Sequence, residues 1–269
     1  MNVSLALGPS TVFALIVLIA FLIFFFGAWS RIEQQGHRPV LRALRPLVRL
    51  KSLIGQSAET GKGLYYSPGS GGLNDQPGAA ETLSSLTTLS AVSRGAARSG
   101  ASLQVSANDT LSYLAAQDVV QAEYAGAGRL DDFDPHNVRF VTQQDRLAYI
   151  AGVESSLDEE AISGSVMLGR FDSEYLLAGE RANQLDIPQV AGSSRVEAMP
   201  LMLASAGPES TLLGEEIYAA PAYLSRRPAL LASVRAQDAL RMLIILAIIL
   251  GVIAASTGLL PNIGDYFLR

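Results

Sequence analysis

GLYYSPGSGGLNDQPGAAE, residues 63–81, decides the fold class. An aromatic-rich run, LYYS at 64–67, stops at Pro68 and a cluster of glycines, and a helical pattern opens at the alanines of 79–80. Strand, glycine-rich turn and helix in that order make the first βα unit of an α/β domain. The same order belongs to phosphate cradles, where backbone amides at a helix N-terminus face an anion. Here, however, Gly69, Gly71, Gly72 and Gly78 miss the G-x-G-x-x-G spacing. The earlier run from Gly55 to Lys62 is one residue too long for a P-loop and continues into Gly63 where Ser or Thr is needed. A plain loop is the simpler reading of this turn.

Outward from this unit, short β-like runs alternate with helical patterns. Candidate strands are 64–67, 103–106, 138–142, 165–169, 188–192 and 211–214, and candidate helices are 80–99, 110–125, 145–160, 173–185, 195–205 and 215–224. The alternation predicts an α/β fold, a mostly parallel, Rossmann-like three-layer domain over residues 61–225. In such sheets ligands bind beyond the carboxyl ends of the strands. The residues at those ends make a candidate crevice: Ser67, Gly69, Gly71, Asn108, Asp109, Arg170, Asp172, Ser194 and Arg195. Ser, Asn and Asp there also serve as helix N-caps without any ligand, and the two arginines can pair with the domain's own carboxylates.

Catalytic patterns are few. Cysteine is absent and only His37 and His136 are present, so no thiolate nucleophile, sulfur-based metal centre or histidine cluster is expected. G-x-S-x-G does not occur, and His136 lies in an acidic turn, DDFDPHN. Adjacent acids such as Glu159/Glu160 and Glu215/Glu216 read as solvated helix faces. No catalytic residue, cofactor or metal is expected, and an enzyme is the least favoured class.

Both ends of the chain are apolar. TVFALIVLIAFLIFFFGAW (11–29) and MLIILAIILGVIAASTGLL (242–260) carry no charge, and nineteen helical residues span roughly 28 Å, close to a bilayer core. The first lacks a basic segment before it and an evident cleavage site after it, so it is expected to remain as an anchor. The chain thus divides into a transmembrane helix (1–30), a basic amphipathic neck (31–60), the α/β domain (61–225), a basic helical neck (226–241), a second transmembrane helix (242–261) and a tail (262–269). Pro228 opens a helix expected to run unbroken into the second span.

Charge follows this division. Residues 31–51 carry six Lys/Arg and one acid, residues 226–241 four Arg and one acid, and residues 52–225 nine basic against twenty-two acidic side chains, a net of −13. Nucleic acid is therefore a poor partner. Both basic clusters adjoin the domain side of the spans, which predicts a cytoplasmic domain in the cell (inner) membrane with both termini on the opposite side. Arg31, Arg38, Arg42, Arg45, Arg49, Arg235 and Arg241 are the candidate membrane-interface residues, drawn to anionic lipid. The first neck, RPVLRALRPLVRLKSLIG (38–55), is expected to lie along the headgroups and to be broken at Pro46. Gly251, Ala254, Ala255 and Gly258 form a small-residue face on the second span suited to close helix packing.

At the level of GLYYSPGSGG, QDRLAYIAGV, GRFDSEYLLAGERANQLDIPQVAGSSRVEAMP and GEEIYAAPAYLSRRPALLASVRAQD, the chain resembles a family of uncharacterised bacterial membrane proteins known only as a domain of unknown function. The resemblance implies a dedicated membrane module and brings no catalytic or binding residue with it. The expected role is a homo-oligomeric structural or assembly protein that self-associates in the bilayer. The alternative is a membrane-tethered sensor for a small polar or anionic ligand at the strand ends.

Overall fold

The computed structural model describes residues 9–35, 42–74, 78–143, 145–159 and 162–256. The chain divides into two units, residues 1–40 with 226–269 and residues 41–225. Its elements are α1 (Pro9–Gln35), α2 (Arg45–Thr60), β1 (Gly63–Gly69), α3 (Ala79–Ser99), β2 (Leu103–Ala107), α4 (Thr110–Gly126), β3 (Val138–Phe140) and α5 (Arg146–Glu159). There follow β4 (Ile162–Arg170), α6 (Tyr175–Gln184), β5 (Gln189–Ser193), α7 (Met199–Ala206), β6 (Thr211–Leu213), α8 (Glu216–Ser225) and α9 (Pro228–Ser256).

The second unit is a six-stranded sheet in the order β3-β2-β1-β4-β5-β6, with every pair parallel. This is the doubly wound order, and the chain reverses direction across the sheet between β1 and β4. Side chains alternate between two cores, as strand geometry demands. Leu64, Tyr66, Val105, Val166, Leu168 and Val190 face α2, α3 and α4, whereas Tyr65, Met167 and Ala191 face α5, α6 and α7. All seven residues of β1 are buried, the mark of a central strand covered on both faces. Local signals set the helix ends. Asp109 caps α4 by accepting from the Ser112 amide at 3.0 Å, and α2 and α3 stop at left-handed Gly61 and Gly100.

The first neck differs from expectation. Residues 45–60 form a helix of the domain: Leu47, Leu50 and Leu53 are buried in the core shared with α3 and the sheet. The leucine side that read as lipid-seeking is the side that covers β4 and β5. Pro46 does not break the helix, because it stands in the first turn where its missing N–H has no partner to lose. Val48 is 62% exposed and shares the outward side with Arg45 and Arg49, so the polar face is less clean than the sequence suggested.

In the other unit, α1 and α9 pack against each other. Both are long and apolar enough to cross a membrane. α9 runs unbroken from Pro228 to Ser256, as expected of the second neck and span. Arg38, Gly258 and the tail 262–269 lie outside the described residues.

Because Leu50 and Leu53 are fully buried, Leu50→Ala or Leu53→Ala should lower the stability of the detergent-solubilised chain by about 2–5 kcal/mol. Val48→Ala should change it by less than about 0.5 kcal/mol. Urea denaturation of the three variants checks the placement of α2; equal small effects would put its leucines back on lipid.

Candidate functional site

At the reversal point the two central strands stay paired to their last residues. A Cβ on Gly69 (φ +102°) would lie 2.4 Å from the Arg170 carbonyl oxygen, and one on Gly169 (φ +152°) 1.7 Å from that of Pro68. No other residue fits either position. The Ser70 amide then donates to the Arg170 carbonyl at 2.8 Å. The Arg170 side chain lies across the glycines of the following turn: a Cβ on Gly71 would come within 2.5 Å of its Cδ, and one on Gly78, which precedes α3, within 2.1 Å of a guanidinium nitrogen. The turn, which shares only the element order of a phosphate cradle, is thus a bed for the protein's own arginine.

Polar side chains that follow β2 and β4 are tied to this loop. Asn108 Nδ2 donates to the Ser70 carbonyl at 2.5 Å, the Asp109 carboxylate packs on Gly72, and Ser70 Oγ donates to Glu174. Glu174 also accepts from the Asp172 amide at 3.1 Å. Asp172 is held between two guanidiniums, with Arg195 Nε donating at 2.8 Å and Arg146 binding its other oxygen. That contact raises the pKa of Arg195, first through the hydrogen bond and then through the charge of Asp172. Ser194 Oγ donates to Glu81, which stands in the first turns of α3. Asn108 Oδ1, Asp109 Oδ2 and Glu81 Oε2 are buried and have no hydrogen-bond partner among the described residues.

Beneath these groups lies a buried hydroxyl network. Tyr65 donates to Ser106 Oγ at 2.8 Å, and the Tyr149 hydroxyl lies 2.7 Å from Ser67 Oγ and donates to the Ser106 carbonyl at 3.2 Å. Burial raises the phenol pKa values of Tyr65, Tyr66 and Tyr149, and pushes Tyr175 up to about 12.

All nine residues expected at the strand ends lie at that edge, in several different roles. Arg195 and Asp172 pair with each other, and Gly69 and Gly71 serve strand contact and the Arg170 side chain. Ser67 joins the hydroxyl network and Ser194 binds Glu81. Sequence reasoning missed Arg146, Tyr149, Glu81 and Glu174. The first three stand on helix turns that follow a strand end, a position that could have flagged them. His136 lies at the opposite end of the sheet, in the turn before β3, with its side chain 93% exposed and Nδ1 2.9 Å from Asp134. Among the described residues no group of three or more His, Asp or Glu side chains could hold a metal ion.

The fold and site define a doubly wound parallel α/β domain whose strand-end polar groups bind mainly one another, carried with two helices able to cross a membrane. The chain belongs to the family described as Domain of unknown function (DUF6754), whose model matches residues 6–264. No curated protein and no solved structure matches it.

The raised phenol pKa values give a pH dependence. Unfolded tyrosines ionise near 10 and the buried ones higher, so their contribution is complete below pH 10 and is lost as pH rises through the folded values, about 12 for Tyr175. Denaturation midpoints should therefore fall steadily above pH 10, with the phenolate absorbance of these four tyrosines appearing only as the protein unfolds. Phenolate signal from these tyrosines in the folded state at pH 10 would contradict their burial.

Proposed function

We propose that the chain is a two-span membrane protein that assembles into homo-oligomers and acts as a structural module. The observation that carries this reading is the surface of the α1–α9 pair. Although the helices pack on each other, Phe13, Ile23, Met242 and Ile248 remain 60–69% exposed. Such a surface is stable only in lipid or against further helices. A Cβ on Gly251 would meet nothing within 4 Å, so the small-residue face has room beside it at that point.

In this reading the domain is cytoplasmic in the cell (inner) membrane and both termini lie on the other side, by the distribution of Lys and Arg. Arg42 and Arg45 are engaged by Glu216 and Glu209. Arg241 pairs with Asp238 at 3.8 Å, so the attraction to anionic headgroups rests more on Arg31, Arg49 and Arg235 than on the whole series.

A second reading, a tethered binding protein, is favoured by the three buried acceptors of Asn108, Asp109 and Glu81, since an unpartnered buried acceptor costs about 1–3 kcal/mol. Acceptors call for a ligand that brings donors, such as a hydroxylated sugar or ribose. Thermal shift against sugar-phosphate and nucleotide panels should then stabilise the wild type, with the effect lost in Asn108→Ala; no shift with any compound removes this reading.

Light scattering on the detergent-solubilised chain, corrected for detergent and run across a concentration series, should give a mass above one 28.5 kDa chain. A monomer at every concentration would refute the assembly role.

A further inference from the structure

In the domain, large apolar side chains that escape burial are concentrated at one place. Leu83, Leu111, Leu114, Leu147 and Leu177 are 47–60% exposed and Val196 is 80% exposed. Leu111, Leu147 and Leu177 stand in the first turns of α4, α5 and α6, Leu83 and Leu114 begin the second turns of α3 and α4, and Val196 follows β5. Each of these helices is the first α-helix after a strand, so the parallel topology carries all six positions toward the carboxyl edge of the sheet. First turns of helices are usually polar, since four backbone amides there seek acceptors. An apolar rim at that level is a surface whose water is meant to be displaced.

We propose that this rim is the surface through which the domain docks against a second copy of the same chain, an inference that rests on the homo-oligomeric reading. Area supports it. At these exposures the six side chains present about 600 Å² of apolar surface, and a standard interface of about 800 Å² per partner is roughly three-fifths apolar. Charge is compatible with it: at this edge Asp172 is matched by Arg146 and Arg195 rather than left as bare negative charge. Exposed Glu197 lies 3.7 Å from Arg195, so the patch carries both signs and can face itself across a two-fold axis. Copies held in one bilayer meet at raised effective concentration, which favours a patch of this modest size.

The absence of cysteine makes the test direct. In the otherwise cysteine-free 269-residue chain, Val196→Cys should give a covalent dimer with a bifunctional maleimide, whereas Leu130→Cys, exposed at the other end of the sheet, should not. Leu111→Glu with Leu147→Glu should weaken association at least tenfold by light scattering while leaving the circular dichroism unchanged. If the wild type assembles but Val196→Cys is not cross-linked and the double variant still assembles, the rim is overturned and the oligomer stands. If the wild type is monomeric, both fail and the rim is left to a different protein.

Discussion

The carboxyl edge of the sheet takes its form from the contact between the backbones of Pro68-Gly69 and Gly169-Arg170. In most doubly wound sheets the strands on either side of the reversal point diverge into flanking helices and leave a crevice there. Here the ladder continues to the last residue of each strand. It draws the Ser70 amide onto the Arg170 carbonyl and sends the Arg170 side chain over Gly71 and Gly78. The space near the start of α3, where other proteins of this topology admit an anion, is lined by the chain's own cation. The pairs Asn108–Ser70, Ser70–Glu174 and Asp172–Arg195 follow from that loop being pinned.

A second consequence is the separation of polar and apolar functions at one edge. The polar groups lie inward and mostly satisfy one another, while the leucines of the first two helical turns lie outward. Within the sheet Tyr65 bonds Ser106 and Tyr149 bonds Ser67, so these hydroxyls are satisfied in the core rather than facing solvent. The edge therefore offers a ligand few unengaged groups and offers a protein surface considerably more.

The six strands and the helices between them were legible to within a few residues, because glycine, proline and capping side chains punctuate each unit and the apolar runs between them are short. The two long terminal helices were legible from hydropathy. α2 was not placed, because an amphipathic helix shows the same leucine stripe to a sheet as to a lipid surface; what decides is the distant β4 and β5, which no local pattern reveals. The candidate site was half legible. Position after a strand found Arg170, Asp172 and Arg195, but that Arg195 and Asp172 neutralise each other, with Arg146 as third member, depends on loops brought together only by the sheet order. The apolar rim escaped notice because a leucine early in a helix reads as core in any periodic pattern.

The placement of α2 bears on how the chain is made. Its leucines cover strands that leave the ribosome about a hundred residues later, which at 5–20 residues per second is roughly 5–20 s. Throughout that interval Leu47, Leu50 and Leu53 have only β1 and α3 to lie on, and the cover of α2 is completed only when β4 and β5 arrive.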